Sequence, residues 1–109
     1  TAVDSAGGDE QLLRDVIRVF LDESAELLAK IAEAIANRDL DGLHIAAHSL
    51  KGAARNLGAH GVAEHAANLE AMARAKELDG TEPAFQQLQE QLRAVLPLFA
   101  DYCTEDRTE

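Results

Sequence analysis

Cysteine is nearly missing from this chain: Cys103 is the only one. An internal disulfide and a cysteine-based zinc site are thereby excluded, and the chain fits a reducing compartment. There is no tryptophan, one tyrosine, three phenylalanines and only two prolines. β-Branched residues are too few to build a sheet, and they recur at helical intervals. Positive charge is scarce, with ten Lys and Arg against twenty Asp and Glu and a net charge of −10. That balance disfavours nucleic acid, whose affinity comes mainly from phosphate neutralisation, and it disfavours anionic membrane surfaces. No apolar run approaches the length of a membrane span, and no signal peptide is visible. Neither a glycine-rich nucleotide loop nor an acidic triad is present, so nothing points to ATP or Mg²⁺ binding by the chain itself.

What is present is alanine and leucine with Glu, Gln and Arg between them, a composition that favours helix almost throughout. At 109 residues and 47% apolar content, the chain is expected to form one domain with a single core. Its first residue is Thr1 rather than Met, which suggests a domain excised from a longer protein. Residues 1–8 read as a flexible linker, rich in Ala, Ser and Gly. From Asp9 onward, Leu12/Leu13, Val16/Ile17, Phe20, Leu27/Leu28, Ile31 and Ile35 recur at helical spacing. Asp22-Glu23-Ser24 offers a new N-cap, so a short first helix followed by a longer one is expected, with one continuous helix as the alternative. Asp39 caps the next helix, which should end near Leu57 with Gly58 as the left-handed residue. Another helix follows from about Val62 to Lys76, with Met72 as a core filler. The last begins at Thr81 or Glu82, carries Pro83 in its first turn, and should kink or divide at Pro97. Residues 104–109 should fray. The expected fold is all-α: an antiparallel four-helix bundle over residues 9–103, with a short extra N-terminal helix covering one end.

The helix from Asp39 to Leu57 carries the chemistry. At about 100° per residue, Leu43, Ala47, Leu50, Ala54 and Leu57 form one apolar stripe. His44, His48, Lys51, Gly52 and Arg55 form the opposite one. His48 therefore points away from the leucines, as an exposed imidazole with cations beside it. Neutral imidazole is a nucleophile, a general base and a metal ligand. Gly52 lies one turn after His48 and lets a partner approach the ring. A mid-helix glycine costs about 1 kcal/mol against alanine and wants a reason. Lys51 can reach the oxygens of a phosphate on the ring, and His44 and Arg55 extend the positive edge. Each residue alone has a plainer explanation: close helix packing for the glycine, solvated charges for the cations. Two ligands are also too few for a tight zinc site at His44 and His48, and no metal is expected.

His48-Ser49-Leu50-Lys51-Gly52-Ala53-Ala54-Arg55-Asn56-Leu57-Gly58 resembles the signature of histidine-containing phosphotransfer (HPt) domains. Ala46-Ala47 before it and Ala67-Asn68-Leu69-Glu70 on the following helix extend the likeness, and helix count and length match from about Glu10 to Cys103. The resemblance implies that His48 is phosphorylated, taking a phosphoryl group from one aspartate and giving it to another. It implies that Lys51 stabilises the phosphate, that Gly52 leaves room for it, and that Glu70 hydrogen-bonds the ring. A plainer reading of Glu70 is a surface charge paired with Arg74 at i,i+4. The implied partners are response-regulator receiver domains, with a hybrid sensor histidine kinase upstream. The receiver would supply Mg²⁺, the domain itself holding no cofactor. Ala53, His44 and Arg55 would form part of the docking face. A cytoplasmic monomer is expected, as a free protein or as the cytoplasmic C-terminal domain of a membrane-bound hybrid kinase.

Two other readings stay open on sequence alone. One is a bundle of the chemotaxis-kinase type, phosphorylated by a kinase ATP domain. The other is a non-catalytic interaction module.

Overall fold

Helices α1 (Ala2–Ala36), α2 (Leu40–Asn56), α3 (His60–Arg74) and α4 (Thr81–Glu105) are the regular elements of the chain. The structure is a computed structural model that describes the backbone of residues 2–105 and the side chains of residues 11–101. Among the described residues there is no strand, and no helix is long and apolar enough to cross a membrane. Each helix packs on its neighbour in the chain, and α4 closes the ring against α1, giving a four-helix bundle. One apolar stripe per helix fills the centre. Ile31, Leu43, Leu50, Val62, Leu69, Leu88 and Leu92 are fully buried there, with small alanines such as Ala47, Ala54 and Ala66 between them. Burying each large aliphatic chain contributes about 1.5–3 kcal/mol.

The separate N-terminal helix expected from the sequence is not a separate element. α1 is continuous for 35 residues, and it takes in residues 2–8 of the stretch read as a linker. Ser24 explains why no break occurs. Its side chain is fully buried, and its hydroxyl donates to the Leu21 carbonyl at 3.2 Å. The hydroxyl thus bonds back into the helix instead of capping a new one. Asp22 and Glu23 simply face solvent.

α1 also does not fold back over the end of the bundle. At 1.5 Å per residue it is roughly 50 Å long, twice the length of α2, and the molecule extends 49 Å along its long axis. Phe20 of α1 and Phe99 of α4 meet edge to face, with centroids 5.8 Å apart. Of the apolar residues in the first half of α1, Ile17 and Phe20 are buried, while Leu12, Leu13, Val16 and Val19 stay exposed. α4 passes through Pro97 without a division and reaches Glu105. Of the tail expected to fray, Thr104 and Glu105 end α4, and residues 106–109 lie outside the described residues.

The turns are tight because each helix end satisfies its own carbonyls. After α2, Ala59 N–H donates to the Ala54 carbonyl at 2.9 Å and Gly58 N–H to Arg55 at 3.1 Å. This is a Schellman closure with Gly58 left-handed at φ 73°. α1 closes the same way through Asp39 and Arg38, and α3 through Glu77 and Lys76. There the left-handed residues are Arg38 (φ 57°) and Lys76 (φ 61°). A side chain in that conformation costs about 1 kcal/mol or more. Asp39 then caps α2, its carboxylate accepting from Gly42 N–H at 3.0 Å. Met72 packs against the core from a partly buried position.

Candidate functional site

The site lies where α2 faces α3. On α2 the apolar stripe is seated as its spacing implies: Leu43, Ala47, Leu50 and Ala54 have no exposed surface, while Leu57, just past the end of α2, is partly buried against the core. That seating fixes the rotation of the helix, so the His48 side chain is 63% exposed. His44, one turn earlier, stacks parallel to His48 with ring centroids 6.2 Å apart.

Glu70 on α3 is the centre of the arrangement. It belongs to the helix face that buries Ala63, Ala66, Leu69 and Ala73, and only 4% of its side chain is exposed. A buried carboxylate needs partners, and four side chains provide them. Lys51 Nζ pairs with Oε1 at 2.5 Å. His48 Nδ1 lies 2.8 Å from Oε2 and Arg74 Nη2 donates to the same oxygen at 3.2 Å. His44 Nε2 stands 3.5 Å away. Burial pushes the Glu70 carboxyl up, but the hydrogen bonds from Lys51 and His48, with their charges, outweigh it. The result is a pKa lowered to about 2.

The protonation of His48 follows. At neutral pH the Glu70 carboxylate can only accept hydrogen bonds. The His48 nitrogen facing it must therefore carry the proton and donate it. In the neutral ring this leaves Nε2 with its lone pair, on the exposed side chain. The arrangement holds the imidazole in one tautomer.

The other sequence-selected residues fall into place differently. A Cβ built on Gly52 would meet nothing within 4 Å, so close packing within this chain does not explain that glycine. Lys51 is on the same helix face as His48 but is only 17% exposed, drawn onto Glu70. Arg55 is exposed, and Ala53 is half-buried against the core. The surface pairing of Glu70 with Arg74 is present, but on a buried carboxylate that three α2 side chains also face. The simultaneous approach of His44 and Arg74 to Oε2 was not anticipated from the sequence. Its only trace is spacing, His44 being one turn before His48 and Arg74 one turn after Glu70. Among the described residues, no three or more His, Cys, Asp or Glu side chains are arranged to hold a metal ion.

The comparison that decides the family is the Hpt domain profile, which matches residues 15–96. The chain belongs to the Hpt domain family. The crystal structure of histidine-containing phosphotransfer protein B (HptB) from Pseudomonas aeruginosa PAO1 is similar. It superimposes with a TM-score of 0.85 at 27% identity, over 95% of this chain and 89% of that one. No curated protein sequence matches the chain. Membership of the Hpt family makes this a histidine phosphotransfer carrier of phosphorelay signalling, working with receiver domains of two-component systems.

Proposed function

We propose that this Hpt domain accepts a phosphoryl group on His48 from the aspartyl phosphate of one receiver domain and passes it to the aspartate of another. The observation that carries this reading is the His48–Glu70 hydrogen bond at 2.8 Å. It directs the proton to Nδ1 and leaves Nε2 as the reacting atom. In the forward step, the Nε2 lone pair attacks phosphorus. The N–P bond forms as the bond from phosphorus to the aspartyl oxygen breaks, and the carboxylate leaves with its electron pair. The Nδ1 proton stays in place, and the Glu70 carboxylate that accepts its hydrogen bond stabilises the positive charge that develops on the ring. The return step is the same displacement in reverse.

Gly52 supplies the open surface that an incoming receiver needs. Lys51, three residues after His48 on α2 and paired with Glu70, would stabilise the phosphoryl oxygens by moving toward them. Arg55, His44 and Ala53 border the histidine as docking residues, the cations meeting the acidic mouth of the receiver. The receiver would hold Mg²⁺ on its own side of the interface, where it would supply neutralisation of the transferring group's charge. The short turns and side-by-side contacts support an antiparallel course for the four helices. We read the domain as a cytoplasmic monomer that takes its phosphoryl group from a hybrid sensor histidine kinase.

The test is transfer without nucleotide. A purified receiver, phosphorylated on its aspartate and freed of ATP, should label the wild-type protein and not His48→Gln. Labelling that requires a kinase and ATP would replace this reading with the chemotaxis-kinase type. Preserved signalling by His48→Gln would replace it with a non-catalytic module.

A further inference from the structure

Below the transfer site, a cleft of about 550 Å³ opens between the ends of α1 and α3 and the start of α2. Its lining includes Arg38, Arg74, Lys76 and His44, together with Asp39 and Asp41. In a chain with a net charge of −10 and only ten Lys and Arg, three of those ten meet in this one place. Arg74 is held by Glu70. The Asp39 carboxylate is occupied in capping α2. Arg38 and Lys76 are both exposed, and neither forms an ion pair among the described residues.

The backbone adds an independent observation. Arg38 and Lys76 both occupy left-handed positions, φ 57° and 61°, at the ends of their helices. Glycine is the favoured residue there, and the equivalent closure of α2, at the other end of the bundle, does use Gly58. The two closures that bear cations are the two that line the cleft. A cation near a helix C-terminus complements the helix dipole. That accounts for each charge separately, but not for both converging in a cleft that shares His44 and Arg74 with the transfer site.

We propose that this cleft is a second docking surface, whose Arg38 and Lys76 receive carboxylates on the partner receiver while His48 engages its active site. The proposal rests on the carrier reading and extends its interface beyond the histidine face. Continuity through His44 and Arg74 lets one partner cover both, and long, unpaired cations suit a protein surface that arrives by electrostatic steering.

The test uses the double variant Arg38→Gly/Lys76→Gly, which removes both charges while giving the two backbone positions the residue they favour. Its Tm should equal or exceed that of the wild type, so that weakened binding cannot be ascribed to unfolding. Association is measured by stopped flow, with a receiver domain that labels the wild type. At low salt the variant should associate about 3–10-fold more slowly, and the difference should vanish near roughly 0.5 M NaCl. Arg38→Glu/Lys76→Glu should be slower still. Equal association rates for wild type and variants at low salt would overturn the proposal. It would also fall if inorganic phosphate bound the cleft tightly while receiver association stayed unchanged, since that result describes a small-anion site. If no phosphorylated receiver labels the wild type at all, the carrier reading fails, and the second docking surface fails with it.

Discussion

Glu70 stands 22 residues from His48 in the chain, yet its Oε2 lies 2.8 Å from the His48 Nδ1. The pair ties α3 to α2 and decides which nitrogen of the imidazole faces solvent with a free lone pair. A buried acceptor of this kind orients an imidazole as an outer ligand orients a metal-bound one.

Replacing Glu70 should therefore affect the chemistry as well as the fold. In Glu70→Gln the amide can still approach His48, but its charge is gone and Lys51 loses its partner. Phosphoryl transfer to His48 should fall about 10-fold. Nitrogen NMR of the ring should show the Nδ1–H form less populated. Wild-type transfer rates in this variant would remove Glu70 from the mechanism.

Acid should weaken the fold through the same residue. The folded-state pKa of Glu70 is lowered from 4.5 to about 2. A carboxylate with a depressed pKa stabilises the fold fully above its unfolded value, and that stabilisation is lost as pH falls through the folded one. That contribution declines below about pH 4.5 and is gone below about pH 2. Urea unfolding of wild type and Glu70→Gln between these pH values should show their difference changing over that window. A difference independent of pH would mean that Glu70 is not the responsible group.

Gly52→Ala separates stability from function. The added methyl group meets nothing in the protein, and alanine is favoured over glycine in a helix by about 1 kcal/mol. The variant should unfold at higher denaturant concentration and yet transfer more slowly, because the methyl group stands where the receiver approaches. Unchanged transfer would leave Gly52 without a role in access.

Asp39→Ala tests the turn that aligns α2. Loss of the bond to Gly42 N–H should cost about 1 kcal/mol in equilibrium unfolding. His48, more than two turns away, should keep its transfer rate at temperatures where the variant is folded.

The stripe Leu43–Ala47–Leu50–Ala54 was legible in the sequence because helical periodicity reports directly which face of a helix is apolar. All four are buried as that spacing requires, and the exposure of His48 on the opposite face follows. The end of α2 was legible for a similarly local reason: Gly58 adopts the left-handed conformation that its residue type favours. The break at Asp22-Glu23-Ser24 was misread because the same three residues serve equally as a cap or as part of a helix surface. Packing against the bundle decides between them, and it buries Ser24 within one continuous α1.

The order of apolar and polar residues by itself determined that the chain is helical, that one core can form, and that His48 stands on the outer face of its helix. These are properties of single helices, set by side chains a few residues apart. Only the tertiary structure decided that Glu70 is buried, that Lys51 and Arg74 converge on it with both histidines, and that Nδ1 of His48 is the nitrogen held. Those facts depend on the spacing and relative rotation of α2 and α3. Two helices in contact set that geometry jointly, and the periodicity of either one alone does not contain it.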